Sequence, residues 1–181
     1  MKFIKPQLLL VGILLASCVS DVDFDQVDDI EINTPHNISL AYFNLDSEDF
    51  LDDMGNELII VSDTTEFPFF NNSGNENYLV QADFQFEATN TFDRDIIVQF
   101  KFLDESENDV YEFELLVVEA NNTSFEKVES LFTDDISALV QTKYAVINLF
   151  LDSGITPIVP TNNFEFKSGS TLYYQYTVED E

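Results

Sequence analysis

Carboxylates are the main reactive side chains of this chain. It holds one His, His36, and one Cys, Cys18, against 35 Asp and Glu. Imidazole catalysis needs a His set by partners, and His36 follows Pro35, where a loop is expected. Zinc, copper and haem sites need more His or Cys donors than the sequence carries. No Gly-rich phosphate loop, Gly-x-Ser-x-Gly elbow or His-Glu-x-x-His run occurs. Paired carboxylates can hydrolyse a glycosidic bond, but so acidic a chain offers such pairs by chance. No catalytic residue is assigned, and the expectation is a protein that is not an enzyme.

Calcium is the more physical use of clustered acids, because it takes about six to eight oxygens from carboxylates and carbonyls. The candidates are Asp46, Glu48, Asp52 and Asp53, within a segment lacking the ligand order of an EF-hand. That segment reads first as a solvated loop that keeps sheet edges from pairing. No other cofactor is expected. Asp63-Thr64-Thr65 resembles the sequon that Bacteroidota glycosylate on exported proteins, with Thr64 as acceptor. Phe67, Phe69 and Phe70, with Tyr173, form a candidate binding patch for a partner or glycan. The run Phe67-Pro68-Phe69-Phe70 reads first as an inward plug at one end of a sandwich.

These residues must be positioned by strands. Residues 79–89 alternate, with Val80, Ala82, Phe84, Phe86 and Ala88 opposed to Gln81, Asp83, Gln85, Glu87 and Thr89. Residues 94–103 repeat the pattern through Ile96, Val98, Phe100 and Phe102, and residues 110–118 through Tyr111, Phe113, Leu115 and Val117. Short polar links predict a meander of these three strands. Weaker strands are predicted at 38–45, 58–62, 143–151 and 171–178. Thr123 with Glu126 has capping-box spacing, and Phe125, Val128, Leu131, Phe132, Ile136, Leu139 and Val140 follow helical spacing. One helical crossover, or two with a fresh start at Thr133, is therefore expected. Loops are expected at 67–70, 71–77 and 154–163. The fold class is mainly β: an antiparallel Ig-like β-sandwich of about seven strands.

Composition sets the outer limits. Of 181 residues, 45% are hydrophobic, with 18 Phe and 7 Tyr, enough to build a core. Seven Lys and Arg give a formal net charge of −28, which excludes nucleic acid as a partner and repels free anions. A single Cys allows no disulfide within the chain.

At the N-terminus, Lys2 and Lys5 precede an apolar run from Leu8 to Leu15, too short to span a bilayer comfortably. Leu15-Ala16-Ser17-Cys18 then resembles the lipobox of bacterial lipoproteins, which implies acylation of Cys18 and cleavage before it. The layout predicts a signal peptide at 1–17, an acidic tether at 18–36 and a β-sandwich domain at 37–181. Val19 stands where Asp would resemble an inner-membrane retention signal, and Ser20-Asp21-Val22-Asp23 partly matches the surface-export signals of Bacteroidota lipoproteins. As a whole the chain resembles the small acidic lipoproteins of that phylum. The resemblance implies outer-membrane localisation through the lipid anchor, at the cell surface or on the periplasmic face. The expected function is a non-enzymatic envelope protein acting as a binding or accessory module, with an envelope protein or glycan as partner. A carbohydrate-binding surface lipoprotein and a carboxylate-based hydrolase are the alternatives.

Overall fold

Period-two patterning becomes strand most plainly at Leu79–Asn90, where Ala82, Phe84, Phe86 and Ala88 are buried while Gln85 and Glu87 face solvent. The computed structural model describes residues 31–154 and 157–177, and Asn33–Tyr176 forms one compact unit. Its strands are β1 (Glu31–Asp46), β2 (Val61–Glu66), β3 (Leu79–Asn90), β4 (Ile96–Leu103), β5 (Asp109–Glu112), β6 (Leu116–Val118), β7 (Phe125–Phe132), β8 (Tyr144–Leu151) and β9 (Asn163–Thr177). Two short helices, α1 (Ser73–Tyr78) and α2 (Thr133–Leu139), and a 3-10 turn at Ser47–Phe50 complete the described elements. None of the described helices is long and apolar enough to cross a membrane.

The strands form two sheets, β1-β9-β3-β7 and β2-β8-β4-β5, with β6 also paired to β4. An antiparallel β-sandwich therefore forms as the alternation predicts. Its strand order departs from the Ig-like arrangement. Pairs β1·β9, β2·β8, β3·β7 and β4 with β5 and β6 make the chain one long hairpin. The hairpin is rolled so that β9 also meets β3 and β8 meets β4, which is jelly-roll connectivity.

Phenylalanine fills the space between the sheets. Ten of the 18 Phe are essentially inaccessible, and Phe113 packs on Phe84, Phe86, Phe100 and Phe102 with ring centroids 4.8–5.6 Å apart. Such stacked and edge-on pairs add about 0.5–1.5 kcal/mol each beyond the area they bury.

Several local expectations are corrected. The meander does not form, because β3 and β4 lie in different sheets. Asn90, fully buried, donates from Nδ2 to the carbonyls of Arg94, Val118 and Glu119 at 2.9–3.0 Å and accepts the Phe92 N–H at 2.9 Å. These bonds bend residues 90–95 into an arch between sheets rather than a hairpin. Residues 125–132 are strand β7, not helix: Phe125, Lys127, Glu129 and Leu131 turn toward the sandwich while Glu126, Val128, Ser130 and Phe132 are exposed. The helix begins only at Thr133.

The predicted strand at 110–118 splits in two. Lys101 pairs with Glu112 but Val98 pairs with Leu116, so three steps along β4 meet four along its partner. The extra residue is a bulge, and it flips the faces that follow. Leu116 and Val118 are buried while Leu115 and Val117, expected inside, are 54% and 47% exposed.

Smaller shifts complete the comparison. β2 runs at Val61–Glu66 rather than 58–62, α1 replaces part of the loop at 71–77, and β1 opens at Glu31, ahead of the expected domain start.

Replacing Asn90 with Leu removes three donated bonds and one accepted bond inside the protein. The expected cost is about 3 kcal/mol, which lowers Tm by about 10 °C in a domain of this size. Thermal unfolding followed by circular dichroism measures it.

Candidate functional site

The Phe67–Phe70 segment closes one end of the sandwich, and its aromatics divide between inside and outside. Phe70 is fully buried against Phe84 and Phe102, and half-buried Phe67 stacks on Phe102 at 6.0 Å. The plug expected here is thus made by Phe67 and Phe70. Phe69 remains 38% exposed and turns toward a shallow cavity of about 400 Å³, which it lines with His36, Asn72, Asn75, Tyr174 and Tyr176.

Amide side chains build this cavity. Asn72 caps α1 by accepting the Asn75 N–H at 3.0 Å. Its Nδ2 and that of Asn75 both donate to the Phe69 carbonyl, at 2.7 and 2.8 Å. Asn75, buried, also accepts the Tyr174 hydroxyl. The backbone of Phe69 is therefore clamped, while its ring packs on Phe67 and Phe70 at 6.1 and 5.5 Å and keeps one side exposed. On the opposite wall the rings of Tyr174 and Tyr176 stack at 6.4 Å, and Tyr78 lies 4.7 Å from Tyr176. His36 is not in a loop: it lies in β1, exposed, with its ring edge-on to Tyr174 at 5.4 Å. Tyr174 and Asn75 are buried supports, so the surface offered to a ligand is that of the Phe69 and Tyr176 rings beside Asn72 and His36.

Tyr173 is not brought into this cavity. Alternation along β9 places it on the outer face of its sheet, opposite Gln81, where its hydroxyl bonds to Asp83. Burial works against ionisation of Asp83, but hydrogen bonds from Gln81, Ser130 and Tyr173 hold its carboxyl below the ordinary aspartate value. On the same face Glu87 and Glu126 stand directly opposite each other, beside a polar hollow of about 180 Å³ that Glu165 and Lys167 also line.

The calcium candidates serve local structure. Asp46 accepts the Glu48 N–H at 2.8 Å and caps the 3-10 turn. Asp52 accepts the N–H groups of Met54 and Asn56 at 2.9 and 2.8 Å, together with the Asn56 side chain, closing a loop in which Gly55 has φ +78°. Those bonds, led by the Asn56 amide, hold the Asp52 carboxyl below its ordinary value. Glu48 and Asp53 are exposed. Among the described residues no group of three or more His, Cys, Asp or Glu is placed to hold a metal ion. Thr64 is exposed in β2 opposite Val146, and Cys18 lies outside the described residues.

Alternation alone could have picked out Tyr174 and Tyr176, which share a face of β9. Asn75, His36 and Tyr78 carry no signal of their own in the sequence, because the fold assembles them from distant segments.

Neither a protein family nor a curated protein matches the sequence. Solved structures resemble it in part. A "putative secreted protein" from Parabacteroides distasonis is 16% identical with a TM-score of 0.49, over 62% of this chain and 36% of its own. The Gt strain of infectious bursal disease virus gives 8% and 0.41, over 78% and 32%. Desmodium yellow mottle tymovirus gives 11% and 0.35, over 84% and 91%. The chain thus spans about a third of the length of the first two proteins. None of these likenesses assigns an activity, substrate or partner.

Lowered carboxyl values have a definite sign. The stability that Asp52 and Asp83 contribute is present above the ordinary aspartate value, about 3.9, and is lost as pH falls through their lower folded-state values. Side-chain carboxyl NMR titration is expected to show both midpoints below that value, with Asp83 moving up in a Tyr173→Phe variant.

Proposed function

We propose that this protein is a non-enzymatic, lipid-anchored binding module of the bacterial cell envelope whose ligand is a neutral glycan. The observation that carries the ligand class is the end cavity, where Phe69 and Tyr176 present aromatic surface beside the exposed Asn72 and His36 side chains. Sugar rings offer apolar C–H faces to aromatic side chains and hydroxyls to amides, so such a wall suits them. The net charge of −28 disfavours an anionic ligand at the same place. Packing of the Phe69 ring on Phe67 and Phe70, above a backbone clamped by Asn72 and Asn75, supports binding as well, since a ring held in place loses little entropy when a ligand lands.

Anchoring is argued from the N-terminus. Leu15-Ala16-Ser17-Cys18 supports lipidation at Cys18, and more than one acyl chain there gives stable membrane attachment. Val19 supports sorting to the outer membrane, and the acids after it support display at the cell surface. The domain then works by position, held at the membrane with its loops presented outward.

Glycan-array binding tests the ligand class. A neutral oligosaccharide is expected to bind, with Phe69→Ala and Tyr176→Ala each weakening it by about tenfold or more, the scale of a lost aromatic anchor, and Tyr173→Phe leaving it unchanged. An array without binding, or binding indifferent to Phe69 and Tyr176, overturns the reading. Membrane attachment has its own test: Cys18→Ala is expected to move the chain from the membrane to the soluble fraction on centrifugation.

A further inference from the structure

The outer face of the sheet β2-β8-β4-β5 is ordered in rows that run across its strands. One row is apolar: Ile97 pairs with Phe150 on β8 and with Val117 on β6. Ile60, one residue ahead of the Val61 pairing with Leu149, continues it. Val117 and Ile60 are 47% and 42% exposed, and none of the four belongs to the core between the sheets. The bulge between β5 and β6 is what turns Val117 outward. On one flank a ladder of side-chain bonds runs Ser62 to Asn148 to Gln99 to Glu112.

The other flank is acidic. Asp152 bonds to the Asp95 carbonyl through its backbone N–H at 2.9 Å, and Glu119 follows the Ile96 pairing with Val118. Asp152, Asp95 and Glu119 therefore stand in one row, where like charges directly opposite are destabilising. Every Lys and Arg among the described residues is engaged elsewhere: Arg94 with Glu57, Lys101 with Asp109, Lys127 with Glu114, Lys143 with Glu66 and Lys167 with Glu165. The described residues thus supply no cation for this flank.

We propose that this face docks a separate protein whose contact surface sets an apolar centre beside a row of Lys or Arg. The apolar row supplies burial, and the partner's cations relieve the acidic row and set the register of docking. A second copy of the chain brings the same uncompensated charge, so it fits the face less well.

A synthetic peptide alternating Leu and Lys serves as the probe, with Ser/Lys and Leu/Glu peptides as controls and the full chain as receptor. Fluorescence anisotropy at physiological salt is expected to show the Leu/Lys peptide binding about tenfold or more tighter than either control. Ile97→Ser with Phe150→Ser is expected to erase that margin, and the surface change Val117→Ser to reduce it without affecting Tm. Val128→Ser, on the other sheet, and Phe69→Ala, at the end cavity, are expected to preserve it, which separates this face from the glycan reading. Equal binding of Leu/Lys and Ser/Lys peptides, or a margin that survives the Ile97, Phe150 and Val117 changes, overturns the proposal. So does sedimentation showing that the chain self-associates and that Val117→Ser abolishes it.

Discussion

The Asn90 carboxamide determines how the two sheets are joined. A chain leaving β3 with a short polar link would ordinarily return beside it as a hairpin. Here the carbonyls of Arg94, Val118 and Glu119 converge on one buried Nδ2, so the link rises to the opposite sheet and meets the end of β6. Neighbouring contacts depend on that arch. Phe92 drops into the core against Phe50 of the 3-10 turn, and Thr91 exchanges bonds with Asn163 at the start of β9. Arg94, 7% exposed, reaches Glu57 at 2.8 Å and the Gly154 carbonyl at 3.3 Å. A Cβ at position 154 would lie 2.4 Å from the Arg94 side chain, so glycine there is a packing requirement. A buried guanidinium is tolerated because its carboxylate partner is held beside it.

Legibility in the sequence followed how closely each strand's inward face matched the core. β3 and β4 cross its middle, where apolar side chains fill the inward face, and their alternation is plain. β7 lies at the sheet edge, and two of its inward residues are charged: Lys127 reaches Glu114, and Glu129 accepts the Tyr111 hydroxyl. Long side chains at a rim can keep their polar ends satisfied, so the period of two is hidden. The apolar residues that remain, Phe125, Val128, Leu131 and Phe132, coincide with helical spacing while facing opposite sides of a strand. The bulge between β5 and β6 was invisible for a different reason. One extra residue changes no composition and leaves the alternation of letters intact, yet it exchanges inside for outside.

The candidate site was legible only in fragments. Phe69 drew notice through its neighbours Phe67, Pro68 and Phe70, but the same four letters describe both a plug and a patch. The structure resolves them residue by residue, because α1 returns Asn75 to the Phe69 carbonyl and pins the segment with one ring outside. Tyr173 and Tyr174 are adjacent in sequence and face opposite sides of β9, so Tyr173 lies on the outer face of its sheet, away from the cavity that Phe69 lines. The acids at 46–57 read first as a solvated loop, with calcium as the chemical alternative that clustered carboxylates offer. In the fold, Asp46 and Asp52 accept backbone N–H groups, the commoner use of such residues in turns.

The distribution of charge shows which surface features are unusual. With every described Lys and Arg in an ion pair, each further carboxylate adds to a uniform negative field, which favours solubility and discourages edge-to-edge pairing of β1 and β2. Against that background a solvated sheet face needs no apolar residues. The row Ile60, Phe150, Ile97 and Val117 stands outside the core between the sheets, flanked by the acids Asp152, Asp95 and Glu119. The bulge that exposes Val117 simultaneously buries Leu116 and Val118, so the outer row and the packing beneath it are coupled through one backbone irregularity. A regular strand through 110–118 would have hidden Val117 and exposed Val118, interrupting the apolar row at its β6 end.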